Sequence, residues 1–526
     1  MRLSPLHAFP FLILLLIACH STTPTTDKEE IKHGENLAKT YCASCHMFPQ
    51  PDLADKNTWM FHILPGMGPR LGIFHFGFLP YNYEKNNPNL PKYFYPSKPE
   101  LTPEQWKAIV DYYQTLAPEK PLPQQRKDSI TMGLKVFAVE IPDFRLTHPP
   151  VTCCVKIDPG NHCVYICDGL DNQIRVFDKN LHFQSSARSN SPVTWINFPE
   201  GANLPGPRKG ILTDIGIMRP TEQHVGSIQE LDVLGNNKIA IPASNLQDSL
   251  HRPVQILEAD LNNDGKKDLL VCDFGNQTGE LFWLENMGNG KYIKHLLRAQ
   301  PGAIKAYIRP NPKTGLPDIW VLFAQGDESL FLYKNKGNGN FEEKRLLHFP
   351  PINGSTYFEL DDFNGDGYPD ILYTCGDNSD YSRILKKYHG VYIFLNDGHD
   401  HFKQKYFFPI NGCYKAVARD FQHNGRLDIA AISFFADYAR QPQESFVYLE
   451  NEGNFHFKPY SLPIFQLGRW ISMDVGDIDG DGKPDIILGN FSIGPSNIKS
   501  PFNWTQGPPF ILLKNISGRK NPAIAP

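Results

Sequence analysis

Asp362-Phe363-Asn364-Gly365-Asp366-Gly367-Tyr368-Pro369-Asp370 is an acidic, glycine-bearing loop that this chain repeats. Asp260-Leu261-Asn262-Asn263-Asp264-Gly265-Lys266-Lys267-Asp268 and Asp477-Ile478-Asp479-Gly480-Asp481-Gly482-Lys483-Pro484-Asp485 carry the same pattern. Asp420-Phe421-Gln422-His423-Asn424-Gly425-Arg426-Leu427-Asp428 keeps it in eroded form. Each copy follows one apolar run and precedes another, as Val254-Gln255-Ile256-Leu257 and Leu269-Leu270-Val271-Cys272 do around the Asp260 copy. Short apolar runs bounded by turn signals read as strands. A third run often ends in Leu-x-Asn, as in Leu284-Glu285-Asn286 and Leu449-Glu450-Asn451.

The leading aspartates stand at 260, 362, 420 and 477, so the first interval is nearly twice the others. Inside it, Pro312-Lys313-Thr314-Gly315-Leu316-Pro317-Asp318-Ile319 keeps the strand entry and has lost its acids. Two weaker units precede, one over 151–178 and one near 210–216. The total is seven units of about 46–60 residues. One unit cannot bury both faces of its sheet, so units must stack, and closing the stack into a ring protects the strand edges. The expectation is an all-β seven-bladed β-propeller over 139–515, with a tail at 516–526. Abundant Gly (41), Pro (45), Phe (35) and Tyr (22) suit many short strands joined by tight turns.

The array resembles the FG-GAP and VCBS repeat families, which share the blade of integrin α-chain propellers. The acidic loop has its own metal logic. Side-chain oxygens at positions one, three, five and nine, with a backbone carbonyl at seven, suit a hard cation, and Gly at six allows the sharp turn. About three structural Ca²⁺ sites follow: Asp260, Asn262, Asp264 and Asp268; Asp362, Asn364, Asp366 and Asp370; and Asp477, Asp479, Asp481 and Asp485. Gln422 and Asn424 replace acids in the fourth loop and weaken it.

Cys42-Ala43-Ser44-Cys45-His46 reads C-x-x-C-H, the attachment signature of a c-type haem. The two thiols reach the two vinyl groups of one porphyrin, and His46 supplies an axial nitrogen. An amphipathic helix is expected over 31–41, and a second opens at Thr102-Pro103-Glu104-Gln105. There Thr102 caps, Pro103 takes the first helical position and Gln105 completes a capping box. Trp106, Ile109, Val110 and Tyr113 then share one face. Residues 31–118 resemble the class I c-type cytochromes, a small all-α fold. Gly34 and Leu37 stand where those proteins pack their first helix on their last, and Leu116-Ala117-Pro118 ends the closing helix. The resemblance implies covalent haem c and a redox partner protein. Met67, in Leu64-Pro65-Gly66-Met67-Gly68-Pro69-Arg70, is the favoured second ligand, with His62 and His75 as rivals.

The N-terminus reads as a targeting segment. Residues 9–17 are nearly all apolar, and Leu16-Ile17-Ala18-Cys19 matches the bacterial lipobox. Residues 1–18 are then a lipoprotein signal peptide, Cys19 is lipidated, and 19–30 form a polar tether. This places the protein in a bacterial cell envelope, lipid-anchored at the outer membrane or periplasmic face or at the cell surface. The linker 119–138 carries Pro121 and Pro123 and reads as extended and semi-rigid, holding the helical domain near the propeller without fixing it. With 52 basic and 56 acidic residues, a net charge of −4 and no basic block, nucleic acid is excluded as a partner. Ten cysteines are present, and those within the propeller read mainly as buried thiols, with one disulfide open to Cys153 and Cys167.

The whole describes an exported, membrane-anchored electron-transfer protein whose propeller serves docking or binding of a carbohydrate or small molecule. Two alternatives stand beside it. One is a sugar or small-molecule dehydrogenase that oxidises its substrate at the propeller mouth and passes electrons to its own haem. The other is a non-redox adhesin. Residues near the start of the innermost strands would line the mouth: His148, Arg252, Lys305, Tyr357, Lys415, Arg469 and Trp470. No Rossmann, P-loop or G-x-S-x-G motif names a further catalytic centre.

Overall fold

The computed structural model describes residues 28–84, 86–198, 207–495 and 500–518. Cys19, the leader and most of the tether lie outside them. Among the described residues no helix is long and apolar enough to cross a membrane.

Seven antiparallel sheets, each of at least four strands, follow one another along the chain. Their first strands are Thr152–Asp158, Val193–Asn197, Pro253–Ala259, Ala303–Pro310, Ser355–Asp361, Cys413–Arg419 and Trp470–Gly476. Each first strand packs against the next, and the seventh packs against the first, so they surround a common axis. This is a closed seven-bladed propeller, and the repeat units map one to one onto its blades. The second strands, such as Asp268–Asp273 and Asp370–Cys375, are buried along their whole length. They are continuous apolar runs because neighbouring blades cover both faces. The outermost strands, such as Phe183–Arg188, expose most of their residues and are accordingly polar.

Ring closure uses a strand that the repeats do not announce. Phe137–Glu140 forms the fourth strand of blade seven, antiparallel to Phe510–Asn515 with Val139 opposite Leu513. The two ends of the propeller are thus sewn into one sheet, and the strand straddles the linker boundary read at 138. Just before it, Thr131–Met132 pairs in parallel with the outer strand of blade six.

The linker is tied down, against the expectation of a segment that leaves the helical domain unfixed. Gln124 donates to the carbonyls of Lys386 (3.1 Å) and His389 (2.9 Å). Arg126 bonds the Pro409 carbonyl, Gln441 and the fully buried Glu444. Proline stiffness set the earlier expectation, but a buried ion pair decides the outcome. Burial pushes the Glu444 carboxyl up, and Arg126 opposes that shift. Breaking such a pair leaves an uncompensated buried charge, so Arg126→Ala should cost about 3–5 kcal/mol in urea unfolding at neutral pH. The deficit should shrink as the pH falls, because a protonated Glu444 needs no cation. A loss that is absent, or constant with pH, would contradict the assigned role.

The N-terminal unit is small and mostly helical. Its first helix, Lys28–Tyr41, starts three residues earlier than read, with Glu29 and Glu30 in the first turn where the helix dipole favours them. Its closing helix, Pro103–Leu116, has the expected capping box, with Gln105 N donating to Thr102 Oγ1 at 3.2 Å and Thr102 N to Gln105 Oε1 at 2.9 Å. Between them runs a helical stretch over 56–67 with a π-type turn at Trp59–Ile63. Trp59 stacks on Tyr113 at 4.0 Å, inside a core that includes Trp106, Ile109 and Val110. The two long helices cross at Gly34, where a Cβ would lie 2.2 Å from the Ala108 carbonyl oxygen. Only hydrogen fits there, so Gly34→Leu should force the helices apart and cost about 1–3 kcal/mol or more. Unchanged stability in that variant would disprove the close crossing.

The described cysteines are all free. Cys154, not Cys153, lies opposite Cys167 in blade one. Cys153 falls at a register shift and its thiol donates to the Cys167 and Val193 carbonyls at 3.4 and 3.2 Å. One extra residue at the strand entry moved the pairing by one position.

Candidate functional site

Three places in the fold carry chemistry, the first being the acidic loops. They join the first and second strands of their blades, at one end of the ring. The position-one aspartate gathers backbone N–H groups: Asp477 accepts from Gly480 (2.7 Å) and Gly482 (2.9 Å), and Asp362 accepts from Gly365 and Gly367. The position-nine aspartate is buried and ties two elements. Asp485 accepts from Ile478 N and from Asn515 N, and Asp268 and Asp370 do the same with Leu261 and Asn286, and Phe363 and Asn396. Asn286 and Asn515 close Leu-x-Asn runs and Asn396 closes Phe394-Leu395-Asn396, and the purpose of these endings was not disclosed by the sequence. Each also donates its amide back to the residue before that aspartate, Asn396 to Pro369 O and Asn515 to Pro484 O.

In blade seven, oxygens of Asp477, Asp479 and Asp485 all lie within 4.8 Å of one another. One cation with ligand distances near 2.4 Å could bridge them. Burial first, and then Asp479 and Asp481, push the Asp485 carboxyl up to about 6. Two of the degraded loops, in blades six and four, provide an internal comparison. Gln422 Nε2 donates to Asp428 Oδ2 (3.4 Å) and to Glu450 (3.0 Å), and Asn311 Nδ2 donates to Asp318 Oδ2 (2.7 Å). Where acids are lost, a neutral amide supplies the positive end that a cation would supply in the full loops.

The second place is the Cys42–His46 turn. A short 3-10 turn, Cys42–Ser44, follows the first helix and brings both thiols onto one bend. Cys42 is half-buried, and burial together with Cys45 pushes its thiol up to about 12; Cys45 is exposed. His46 Nδ1 lies 2.9 Å from the Met47 carbonyl, which assigns the proton to Nδ1 and the lone pair to Nε2. Burial holds the His46 ring below its ordinary pKa and so neutral. Two free thiols and a neutral imidazole with its proton pinned are the donor set that a covalent haem requires. Met67 ends the helical stretch and is half-buried against the helical core, whereas His62 and His75 are exposed.

This turn faces the propeller. Asp327 and His348 of blade four are close enough to act on the charge of His46. Asp327 is itself held by Arg298 (2.9 Å) and His348 (3.0 Å). Around it, Tyr388 Oη donates to the Leu53 carbonyl at 3.3 Å, Lys387 pairs with Asp52 at 2.6 Å, and Ile352 enters the helical core. Gly66 abuts the Tyr381 ring, and Arg70 bonds Gln277. These propeller residues lie on loops between second and third strands or between blades. The helical unit therefore sits on the end opposite the acidic loops, over blades three to five.

The third place is the axis and its mouth. Arg252 is buried, and its guanidinium donates to the carbonyls of Ile217 (3.3 Å), Gly275 (2.6 Å) and Met218 (3.0 Å). Arg469 does the same with Phe434 (2.9 Å) and Pro495 (2.8 Å) and lies over the Phe434 ring. Trp470 is fully buried, and His148 is engaged with Asp171. Arg252, Arg469 and Trp470 serve the blade joints and His148 pairs within blade one, so the expectation that these four line a ligand mouth is corrected. Lys305, Tyr357 and Lys415 do reach the axis. Burial and the neighbouring Lys415 push the Lys305 ammonium down to about 7.

The chain matches the FG-GAP-like repeat family over residues 313–373 and 434–488. No curated protein matches it. Among solved structures, Sqt1 of Saccharomyces cerevisiae aligns at 9% identity and TM-score 0.44, over 72% of this chain and 100% of that one. The Dos1 propeller aligns at 8% and 0.41, over 64% and 75%. A putative 6-phosphogluconolactonase from Bacteroides fragilis aligns at 12% and 0.40, over 61% and 86%. The ring of seven sheets and the FG-GAP-like repeat match fit a binding or docking role.

Proposed function

We propose that the protein is an electron-transfer protein: a haem c unit mounted on a calcium-stabilised propeller that docks a partner or binds a ligand. The observation that carries the reading is the Cys42–Cys45–His46 turn, with both thiols free and the imidazole proton pinned so that Nε2 presents its lone pair. Bound haem would supply one-electron chemistry. Cys42 and Cys45 would hold it, His46 would ligate it, and Met67 is the favoured residue for the other side. The Gly34 crossing and the aromatic core around Trp59 support the resemblance to class I cytochromes. The contacts of the helical unit with blade five, Tyr388 to Leu53 and Lys387 to Asp52, would hold a bound haem against the propeller. Calcium in the three full loops and a lipid on Cys19 complete the proposal, the latter resting on the lipobox alone.

The test mixes purified, oxidised protein with candidate sugars, and separately with envelope extracts, while the haem α-band is followed. Reduction only through a second protein is the expected result. Sustained turnover of a sugar by the protein alone would replace the carrier reading with that of an oxidoreductase.

A further inference from the structure

All seven first strands have a register shift near their start, and the residue just after it stands at one level around the axis in every blade. In blades two, four, five and six this residue is Trp195, Lys305, Tyr357 and Lys415; in the others it is Cys154, Gln255 and Ser472. The ring thus contains two ammonium groups and no carboxylate. Lys305 is 6% exposed, and its Nζ lies 4.2 Å from the Trp195 ring centre, 4.5 Å from Tyr307 and 5.4 Å from Tyr357. A side chain of blade four that touches blade two has crossed past blade three, so it occupies the axis. Lys415 Nζ lies 4.6 Å from the same Tyr357 ring.

Two donors at this level, the Lys305 ammonium and the Trp195 indole N–H, have no hydrogen-bond acceptor among the described residues. Lys305 makes no hydrogen bond among the described residues, and Lys415 makes one, to the Met473 carbonyl at 2.6 Å. The buried Trp195 indole N–H has no partner. Nearby carboxylates are committed elsewhere. Asp474 accepts from Ile157 N (2.8 Å) and Lys156 (3.1 Å), and Glu359 accepts from Ala418 N (3.0 Å) and Arg419 (3.1 Å). Buried donors without acceptors are costly, and an unpaired buried ammonium is more so. Trp195, Tyr357 and Lys415 nevertheless keep some accessible surface at the centre of the molecule, which leaves room at the axis.

We propose that this ring is an anion site, holding a halide or the carboxylate of a small organic acid between Lys305, Lys415 and the Trp195 indole N–H. It is independent of haem and of the acidic loops, and it gives a ligand class to the three expected mouth residues, Lys305, Tyr357 and Lys415, that reach the axis.

The experiment uses bromide as the probe. Crystals of the full chain grown in sodium bromide should show an anomalous bromine peak within hydrogen-bond distance of Lys305 Nζ. The peak should vanish in Lys305→Met, which keeps the bulk and removes the charge; Lys415→Met serves if that variant does not fold. In solution, replacing a bulky buffer anion by bromide at constant ionic strength should raise the melting temperature of wild type and leave the variant unmoved. Acetate that displaces the bromide peak assigns the site to carboxylates, and acetate that fails to do so assigns it to halides. No peak, a peak that survives both substitutions, or a peak without the solution shift, meaning binding at crystal concentration only, would overturn the proposal.

Discussion

His46→Ala protein, matured alongside a haem-attachment system, should keep its haem and lose the low-spin spectrum. The thioethers would form at Cys42 and Cys45, so attachment should survive, but the pinned imidazole that would ligate the iron is gone. Cys42→Ala or Cys45→Ala should each remove one thioether and most of the holoprotein. Met67→Ala should leave the haem attached, turn it high-spin and lower its potential, because a thioether ligand raises potential. Absorption spectroscopy with a potentiometric titration reads all three outcomes. Retention in Met67→Ala of the charge-transfer band that marks methionine–iron ligation would reassign the second ligand.

Calcium should raise the melting temperature of the propeller and a chelator should lower it. The cation would bind the folded loops and not the unfolded chain, and at about a hundred times its Kd each site would contribute about 2.7 kcal/mol. Asp366→Ala should lose more of that increment than Asn424→Ala. The first removes a charged oxygen from a full loop. The second alters a loop whose position-nine carboxylate already receives the Gln422 amide. Calorimetry with and without calcium decides, and a midpoint indifferent to both cation and chelator would remove calcium from the account. The haem spectrum should not respond to the chelator, since the loops lie at the opposite end of the ring from the His46 turn.

The propeller was legible because its signal is local and repeated. Each acidic loop, its flanking apolar runs and the Leu-x-Asn ending sit within one unit, so even eroded copies such as Pro312–Ile319 could be counted. Ring closure was not legible, because Phe137–Glu140 pairs with a strand more than three hundred residues away and has no repeat signature of its own. The fate of the charged residues was equally hidden. Arg252 and Lys305 look alike in sequence, both being cations near a strand entry. The fold ties Arg252 to three carbonyls and sets Lys305 amid aromatic rings at the axis, with no hydrogen-bond acceptor among the described residues. The linker shows the same limit: prolines are visible in sequence, whereas the buried Glu444 that captures Arg126 comes from blade six. The cysteine–histidine turn was legible as a motif, and the structure adds the Met47 hydrogen bond and the blade-four neighbours of His46.

The central claim is that the N-terminal unit carries covalent haem, and intact-protein mass spectrometry joined to a pyridine haemochrome assay tests it most directly. Protein produced with a haem-attachment system should carry one haem per chain through two thioethers, at Cys42 and Cys45, and should lose it in the double alanine variant. A chain that emerges haem-free, with both thiols still open to alkylation, would contradict the account and leave a propeller whose business is binding alone.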